Sequence, residues 1–256
     1  MNIAPHPVNI TDDLATPPAT APASDATFYL PLIGTPAISG TLAITLTTED
    51  RSRDEALELI NRRYAWRGYG SNHKLSGQQD ETTFTANFDG VLIGTITLAA
   101  DSGRGLGVDA TFPEEMQFFR RKQNTRLCEL KKLAVECGSS SKPVLASLFN
   151  FVFLYGTNNY MGTDLLIEVN PRHVAFYKKM LGFQRVGPIR TNISVNAPSQ
   201  LMWIGVKEIE RAINNGHDDS RNNTLYKYFY SRQVEDNIVN QLNERGLREN
   251  GTQAYF

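Results

Sequence analysis

The sequence predicts an α/β fold in which helices pack on both faces of one mixed central sheet, with an added helix at the C-terminus. Segments with strand periodicity and segments with helix periodicity alternate along the 256 residues, which is the pattern of a layered core. Asp89-Gly90 separates two strand-like runs and indicates a tight hairpin. Residues 125–169 form a strand–helix–strand unit, which places two parallel strands side by side. A hairpin and a parallel pair in one sheet make that sheet mixed.

The N-terminal part begins with residues 1–26, which are rich in Pro, Ala and Thr, lack periodicity and are predicted to be a disordered tail. Thr41–Thr47 alternates with a period of two, so it is predicted to be the first strand. Glu49–Tyr69 has apolar residues along one side, which indicates a helix. We expect the folded domain at residues 38–210 and a helical extension at residues 211–256.

Thr82–Phe88 and Val91–Ala99 are the two strands of the predicted hairpin. The turn between them needs positive φ at both central residues, which Asp89-Gly90 tolerates. Ser102–Phe112 is rich in glycine, but no Gly-Lys-Ser/Thr follows, so an ordinary loop is predicted rather than a phosphate-binding one. Glu114–Lys122 is predicted to be a short charged helix.

Thr125–Val135 is predicted to be a strand, and Asp164–Val169 the parallel strand beside it. Lys142-Pro143 begins the helix between them, because proline is tolerated at the first helical position. That helix is predicted to run to about Tyr155 and is apolar on two sides, which favours a buried core helix over the wall of an acyl-chain tunnel.

The C-terminal part is predicted to contain three more elements. Pro171–Leu181 is a helix that Gly182 ends, since glycine is the preferred residue just past a helix C-terminus. Gln200–Val206 is the final strand. Asn223–Gly246 has an apolar side and is predicted to be an amphipathic helix.

The composition argues against several classes of protein. The 26 basic and 27 acidic residues give a net charge of −1, without the broad basic field of a nucleic-acid-binding domain. The longest apolar run, Leu148–Tyr155, is too short to cross a bilayer, and the N-terminus lacks a secretory signal pattern. The two cysteines, Cys128 and Cys137, supply neither a disulfide framework nor a zinc motif. We expect a cytoplasmic protein with no transmembrane segment, no metal and no nucleic-acid partner.

Two segments together carry a specific signal. They are Glu129-Leu-Lys-Lys-Leu-Ala-Val135, followed by Lys142-Pro143, and Asn170-Pro-Arg-His-Val-Ala-Phe-Tyr-Lys-Lys-Met-Leu-Gly-Phe183. In this order they resemble the GNAT acyltransferase superfamily. The resemblance implies a sheet that splays open between the two parallel strands, where the pantetheine arm of an acyl donor lies. It also implies that the amides of Ala134 and Val135 hold the thioester carbonyl, since N–H groups stabilise the oxyanion of acyl transfer.

The resemblance gives catalytic roles to two side chains. Glu129 would be the general base that takes a proton from the attacking amine, and Tyr177 would protonate the leaving thiolate. A strand glutamate paired with a lysine and a tyrosine packed in the core are the alternatives for these two residues. Glu136 and Glu168 are the other candidates for the base. The resemblance places Asn170 and His173 at the mouth of the cleft, with a surface position as the alternative for the histidine.

The loop after the first parallel strand departs from the superfamily. Its usual Arg/Gln-x-x-Gly-x-Gly/Ala pattern cradles the pyrophosphate of coenzyme A. Here the loop has one glycine and is followed by a proline without an N–H. It is suited to grip a single phosphate, which favours the phosphopantetheine of an acyl carrier protein over coenzyme A. The candidate donor-binding residues in it are Cys137, Gly138, Ser139, Ser140 and Lys142.

Four motifs in order point to a narrower resemblance. Arg63-Tyr-x-x-Arg-Gly-Tyr69, Gly105-Leu-Gly-Val-Asp109, Arg126–Val135 and Asn170-Pro-Arg-His173 resemble the bacterial long-chain N-acyl amino acid synthases, which are relatives of the acyl-homoserine-lactone synthases. The resemblance implies that acyl carrier protein is the partner, with a small-molecule amino acid as acceptor. No cofactor is implied beyond the acyl thioester donor. A further set of residues would bind the acceptor: Arg63, Tyr64, Arg67, Lys132, Asn170 and His173.

The guanidinium groups of Arg63 and Arg67 suit the carboxylate of an amino acid, with a solvated helix face as the alternative. The sequence thus predicts direct acyl transfer from a thioester to an amine. Three other functions stay open: a lactone synthase using S-adenosylmethionine, a coenzyme A-dependent acetyltransferase, and a non-catalytic carrier-binding module. The identity of the amino acid and the length of the acyl chain are left open.

Overall fold

The computed structural model describes residues 24–33, 41–136, 141–216 and 223–247. Within them, eight strands form one sheet in the order β1-β2-β3-β4-β5-β6-β8-β7. The strands are β1 Ala26–Pro31, β2 Thr41–Leu46, β3 Glu81–Phe88, β4 Val91–Ala100, β5 Leu127–Val135, β6 Asp164–Val169, β7 Gln184–Asn192 and β8 Ala197–Gly205. The helices are α1 Asp50–Trp66, α2 Pro113–Arg120, α3 Ser141–Asn159, α4 Val174–Leu181, α5 Val206–Gly216 and α6 Arg232–Glu244.

The predicted α/β architecture is confirmed. The β3–β4 hairpin turns at Asp89 and Gly90, with φ of 48° and 81°. Strands β5 and β6 are parallel neighbours, as the strand–helix–strand unit predicts, and the other neighbouring pairs of the sheet are antiparallel. Gly182 ends α4 with a φ of 79°, in the left-handed region that glycine adopts without a steric penalty.

The sheet has two strands that the sequence analysis missed. The predicted tail, residues 1–26, falls largely on residues 1–23, outside the described part of the chain, but β1 already begins at Ala26. The strand alternates between buried and less buried residues, but its sequence, ATFYLP, is short and directly follows a Pro-rich segment, so this alternation was not recognised. Strand β7 contains Gly187-Pro188 and is mostly exposed, as an edge strand with proline can be. Its weak apolar pattern gave no signal.

The C-terminal region also differs from the prediction. Helix α5 starts at Val206, directly where β8 ends, and was not predicted. The single helix expected at Asn223–Gly246 is divided into a 3-10 turn, Leu225–Tyr228, and α6. The break falls where the backbone N–H of Tyr230 donates to Asn150 Oδ1 of α3 at 2.7 Å, so a tertiary hydrogen bond replaces the helical one. No helix in the described residues is long and apolar enough to cross a membrane.

The two faces of the sheet carry separate cores. Helices α3, α4, α5 and α6 cover one face, where Phe28, Phe84, Phe151 and Tyr230 are fully buried. Helices α1 and α2 cover the other face with two smaller clusters, one under each helix. Because strand residues alternate between faces, strands β4, β5, β6 and β8 supply buried side chains to both faces.

Strands β5 and β6 share four register pairs, from Leu127↔Asp164 to Leu130↔Ile167, and then separate. Beyond that point β5 stays paired with β4 and β6 stays paired with β8. The β4–β5 register shifts between Thr95 and Thr97, so Ile96 faces two residues of β5, and one of them, Lys132, has a φ of 55°. Such a bulge bends a strand, and here it opens a gap in the middle of the sheet.

Substitution of Asn150 tests how strongly the C-terminal segment is attached to α3. Its buried amide accepts from Tyr230 N and donates to Glu235 Oε1 at 2.8 Å. Asn150→Ala leaves the Tyr230 N–H without that acceptor, so we expect a loss of about 2–3 kcal/mol in the free energy of unfolding, measured by urea denaturation.

The matched control is Asn243→Ala, because Asn243 makes an exposed amide–amide contact with Asn158 at 3.1 Å. We expect that change to stay within about 0.5 kcal/mol. Equal effects of the two substitutions would contradict a specific role for Asn150.

Candidate active site

A cavity of about 310 Å³ lies at the gap between β5 and β6. Its wall includes Glu129 and Glu168, which point to the face covered by α1 and α2, and Leu130 and Ile167, which point to the face covered by α3. Neighbouring residues of one strand point to opposite faces, so the cavity passes through the sheet. One end is therefore polar and the other is apolar, where Phe149 of α3 completes the wall.

Glu129 lies in the wall of this cavity and is 3% exposed. Its Oε2 accepts hydrogen bonds from the backbone N–H groups of Gly107 at 2.6 Å and Val108 at 3.4 Å. Burial raises the pKa of the carboxyl to about 7, while Lys131 and the two amides act in the opposite direction. Lys131 is bound to Glu81, so the ion-pair alternative for Glu129 is not what the structure shows. A carboxyl with a pKa near neutral pH is suited to accept a proton.

Gly107 is where the loop after β4 approaches this carboxylate most closely. A Cβ at this position would lie 3.1 Å and 3.2 Å from the two carboxylate oxygens. The 3-10 turn Gly107–Ala110 keeps the loop in place, with Val108 buried under α2. The close approach explains a glycine here, and the sequence alone did not reveal the contact.

The amides of Ala134 and Val135 lie on the far side of the bulge. Glu136 N donates to Ile93 O of β4 at 2.9 Å. Because N–H groups alternate between the two edges of a strand, the N–H of Val135 is directed away from β4 and into the gap. A backbone donor at this place can hold a carbonyl oxygen that enters between the strands.

The predicted donor loop is described only in part. Cys137, Gly138, Ser139 and Ser140 lie outside the described residues. Lys142 is in the first turn of α3, and its side chain is exposed. An exposed ammonium beside a helix N-terminus is available to an anionic group.

Tyr177 lies in the cavity wall, on α4. Burial raises the pKa of its phenol to about 12. Burial and the nearby phenol of Tyr177 raise the pKa of Tyr64, on α1, well above its usual range. Tyr177 also packs edge-on against Phe176 and Phe183. Both phenols therefore carry their proton at neutral pH and can donate a hydrogen bond.

The structure separates the two arginines that were predicted to bind a carboxylate. Arg67 is half-buried and lines the cavity, and no carboxylate of the described residues pairs with it. Arg63 does not line the cavity: it lies 3.6 Å from Glu136 and stacks on Trp66. Of the two guanidinium groups, that of Arg67 is placed to meet a ligand in the cavity.

Asn170, His173 and Lys132 also line the cavity. Asn170 Oδ1 accepts from Arg172 N at 3.2 Å, which fixes the turn after β6. Burial, Arg172 and Arg67 all lower the pKa of His173, so its imidazole is neutral at neutral pH. Burial likewise lowers the pKa of Lys132, whose ammonium donates to Lys74 O at 2.5 Å.

Several residues of the cavity wall were not predicted from the sequence. Tyr69 and His73 come from the loop after α1, and Arg172 holds that loop across the cavity by donating to Tyr69 Oη at 2.9 Å. The β7–β8 hairpin contributes Asn192, which donates to Glu168 Oε1 at 2.7 Å. The sequence analysis did not predict the β7–β8 hairpin, because it did not predict β7. It did recognise the motif Arg63–Tyr69 but gave Tyr69 no role in the site. Among the described residues, no cluster of three or more His, Cys, Asp or Glu side chains is arranged to hold a metal ion.

Comparison with known proteins gives a consistent result. The family model described as "N-acyl amino acid synthase FeeM" matches residues 55–205. The solved structure of FeeM, an N-acyl amino acid synthase from uncultured soil microbes, is 26% identical with a TM-score of 0.59, over 68% of this chain and 95% of FeeM. The acyl-homoserine-lactone (AHL) synthase LasI shares the fold, with a TM-score of 0.51 and 14% identity over 66% of this chain and 91% of LasI. No curated protein matches the chain in sequence.

Glu129 provides a prediction that needs no substrate. With ¹³C-labelled glutamate, one side-chain carboxyl resonance should titrate with a midpoint of about 7 in the folded protein, because burial disfavours the charged form. The carboxyl is neutral below that pH and ionised above it. Glu129→Gln should remove this resonance and no other. A spectrum in which every glutamate titrates near its ordinary value of about 4.3 would contradict the geometry.

Proposed function

The chain belongs to the FeeM family of N-acyl amino acid synthases, and we propose that it transfers a long-chain acyl group directly from a carrier-borne phosphopantetheine thioester to the amine of an amino acid. The observation that carries the proposal is the cavity through the sheet, with the buried carboxyl of Glu129 at its polar end. We further propose that the protein works in the cytoplasm, since its two cysteines fit a reducing compartment.

The two ends of the cavity suit the two substrates. The apolar end, with Leu130, Ile167 and Phe149, suits the acyl part of the donor. The polar end, with Glu129 and Arg67, suits an amino acid that carries both a charged carboxylate and the reacting amine. The two substrates would then meet in the gap between β5 and β6, which lies between the two ends.

The reaction in this arrangement is a single acyl transfer. The amine nitrogen attacks the thioester carbonyl carbon, and the carbonyl oxygen takes negative charge that the Val135 N–H stabilises. Glu129 accepts the proton that the nitrogen loses. When the C–S bond breaks, the phenol of Tyr177 gives its proton to the thiolate, so the products are an amide and a free thiol. A thioester is already activated, so holding the two substrates together would supply much of the rate.

The acceptor carboxylate is assigned to Arg67. Its guanidinium is half-buried, lines the cavity and has no carboxylate partner among the described side chains. A planar guanidinium can hold a carboxylate through two parallel hydrogen bonds. His173 and Tyr64 lie close to Arg67, since the positive charge of Arg67 acts to lower the pKa of each of them. Tyr64, Lys132, Asn170 and His173 would complete the acceptor end.

The preference for a carrier protein over coenzyme A rests on the loop that follows β5. Residues 136–142 (ECGSSSK) contain one glycine, so few positions allow the backbone to approach a pyrophosphate closely, and Pro143 at the helix start has no N–H to donate. The exposed ammonium of Lys142 suits the single phosphate of phosphopantetheine. The donor-binding role of Cys137, Gly138, Ser139 and Ser140 is part of this proposal.

The test is an assay of the purified protein with a mixture of amino acids and two matched donors, long-chain acyl carrier protein and long-chain acyl-coenzyme A. We expect mass spectrometry to find an N-acyl amino acid and free carrier thiol, with the carrier-borne donor used at the higher kcat/KM. Absence of any amide with both donors would overturn the proposal. Release of methylthioadenosine with S-adenosylmethionine as acceptor would favour a lactone synthase, and faster use of coenzyme A would overturn the donor preference.

Three variants in the same assay separate the roles. Glu129→Gln should lower kcat by about 10²–10⁴-fold, the usual contribution of a general base. Arg67→Gln should raise the KM for the amino acid by about 10- to 100-fold, since a charge-assisted hydrogen-bonded pair is lost. Arg63→Gln is the matched control, because this guanidinium, four residues earlier in the chain, faces Glu136 rather than the cavity. Equal effects at Arg63 and Arg67 on the acceptor KM would contradict the assignment.

A further inference from the structure

Arg120, at the end of α2, binds two carboxylates at once. Its Nη1 and Nη2 donate to the two oxygens of Asp109, both at 2.6 Å. Its Nε and Nη2 donate to the two oxygens of Asp101, at 2.7 Å and 3.0 Å. These are two-point contacts of the kind that only a guanidinium makes, and they connect both ends of the loop between β4 and α2.

Asp109, which Arg120 holds in place, also binds the loop next to the residues that contact Glu129. Its Oδ2 accepts the backbone N–H of Leu106 at 2.7 Å, immediately before Gly107. Gly107 N then donates to Glu129 Oε2 at 2.6 Å, and Val108 N to the same oxygen at 3.4 Å. Hydrogen bonds linked by the Leu106–Gly107 backbone therefore connect Arg120 to the carboxylate in the cavity, although the guanidinium itself does not line that cavity.

Asp101 fixes the other end of the loop to the strand that carries Glu129. Its backbone N–H donates to Leu127 O of β5 at 2.9 Å. The loop backbone is tight around the ion pair, since a Cβ on Gly105 would lie 2.9 Å from Asp109 Oδ2. Gly105 also has a φ of 80°, which few other residues adopt. The loop is thus shaped around Arg120 and Asp109.

We propose that Arg120 is a positioning residue for the acyl transfer, because through Asp109 it holds the Leu106–Val108 turn so that two backbone amides stay aimed at the Glu129 carboxylate. This inference rests on the proposed function, in which Glu129 is the base. Hydrogen bonds to the ionised form of a carboxyl favour that form. Arg120 thus makes a buried carboxyl available as a base at neutral pH, without touching a substrate.

Other charged and titratable groups act on Glu129 as well. Lys131 favours its ionised form and Glu168 opposes it. These groups do not depend on Arg120, so they stay in place when it is changed. The remaining titratable groups that share the cavity wall with Glu129 are Tyr64, Arg67, Tyr69, His73, Lys132, His173 and Tyr177.

The experiment compares the wild-type protein with Arg120→Gln and Arg120→Lys by the ¹³C titration of the Glu129 carboxyl, without substrate, and by the pH dependence of kcat/KM. We expect both variants to move the Glu129 midpoint upward, by about 0.5–1 pH unit, because its amide donors are loosened while its burial is kept. At a pH below the midpoint this shift leaves about 3- to 10-fold less ionised base. The rising limb of the pH–rate profile should move with it.

Arg121→Gln is the matched control, since Arg121 is the next residue and its side chain is exposed. It should leave the midpoint and the profile unchanged. Thermal unfolding of each variant shows whether the fold is kept, and if Arg120→Gln does not fold, Arg120→Lys decides. Unchanged midpoints in the folded Arg120 variants would overturn the proposal, even if kcat falls.

The two proposals fail in different ways. The ¹³C midpoint is read without substrate, so it tests Arg120 even if the wild-type protein makes no amide. A midpoint that shifts while the pH–rate profile stays in place would keep the effect of Arg120 on the Glu129 carboxyl, but would overturn Glu129 as the base and, with it, the role of Arg120 in the acyl transfer.

Discussion

Hydrogen bonding between β5 and β6 ends at Leu130 and Ile167, and most of the functional geometry depends on that interruption. Each half of the sheet keeps its own pairing, β5 with β4 and β6 with β8, so the strands separate without leaving the fold. The bulge at Lys132 supplies the bend, with a positive φ that a non-glycine residue adopts at a cost. Backbone groups freed inside a protein need partners, and in the proposed reaction a substrate carbonyl is the partner of the Val135 N–H.

The gap also decides the electrostatics of the cavity. It lets Glu129, which would otherwise be enclosed between the sheet and α2, face an open volume beside Leu130 and Ile167. Burial alone would keep the carboxyl neutral, and Lys131 and the amides of Gly107 and Val108 oppose that effect. The result is a group that changes its charge near pH 7, which is where a base is most effective. The loop that carries Gly107 and Val108 therefore helps to set the pKa of Glu129, which lies on β5.

The sequence was sufficient for the elements that have strong local signals. The hairpin at Asp89-Gly90, the parallel pair β5 and β6 and the helix ended by Gly182 follow from turn chemistry and periodicity. Strand β7 could not be predicted, because an exposed edge strand with Gly187-Pro188 has almost no apolar pattern. Helix α5 was hidden by its direct continuation from β8, and β1 by the Pro-rich residues before it.

The site residues that belong to a recognisable sequence motif could be predicted. Those that are identified only by a tertiary contact could not. Glu129, Tyr177 and Arg67 were chosen from motifs and do meet in one cavity, whereas Arg63, from the same motif as Arg67, turns to Glu136 instead. Helix periodicity places both arginines in the predicted helix Glu49–Tyr69 but does not say which one reaches the cavity. The amide contacts of Gly107 and the Arg120–Asp109 pair join residues far apart in sequence, which no local pattern reports.

The most direct test of the account is a crystal structure of the protein with a non-hydrolysable analogue of a long-chain acyl-phosphopantetheine, in which an amide replaces the thioester and keeps its carbonyl group. The account predicts that the analogue lies between β5 and β6, with its carbonyl oxygen within about 3.2 Å of Val135 N, a normal hydrogen-bond distance. Its acyl chain should extend toward Leu130 and Phe149, and its carbonyl carbon should face the side of Glu129. An analogue bound elsewhere, with the gap left closed to it, would contradict the claim that this interruption of the sheet is where acyl transfer takes place.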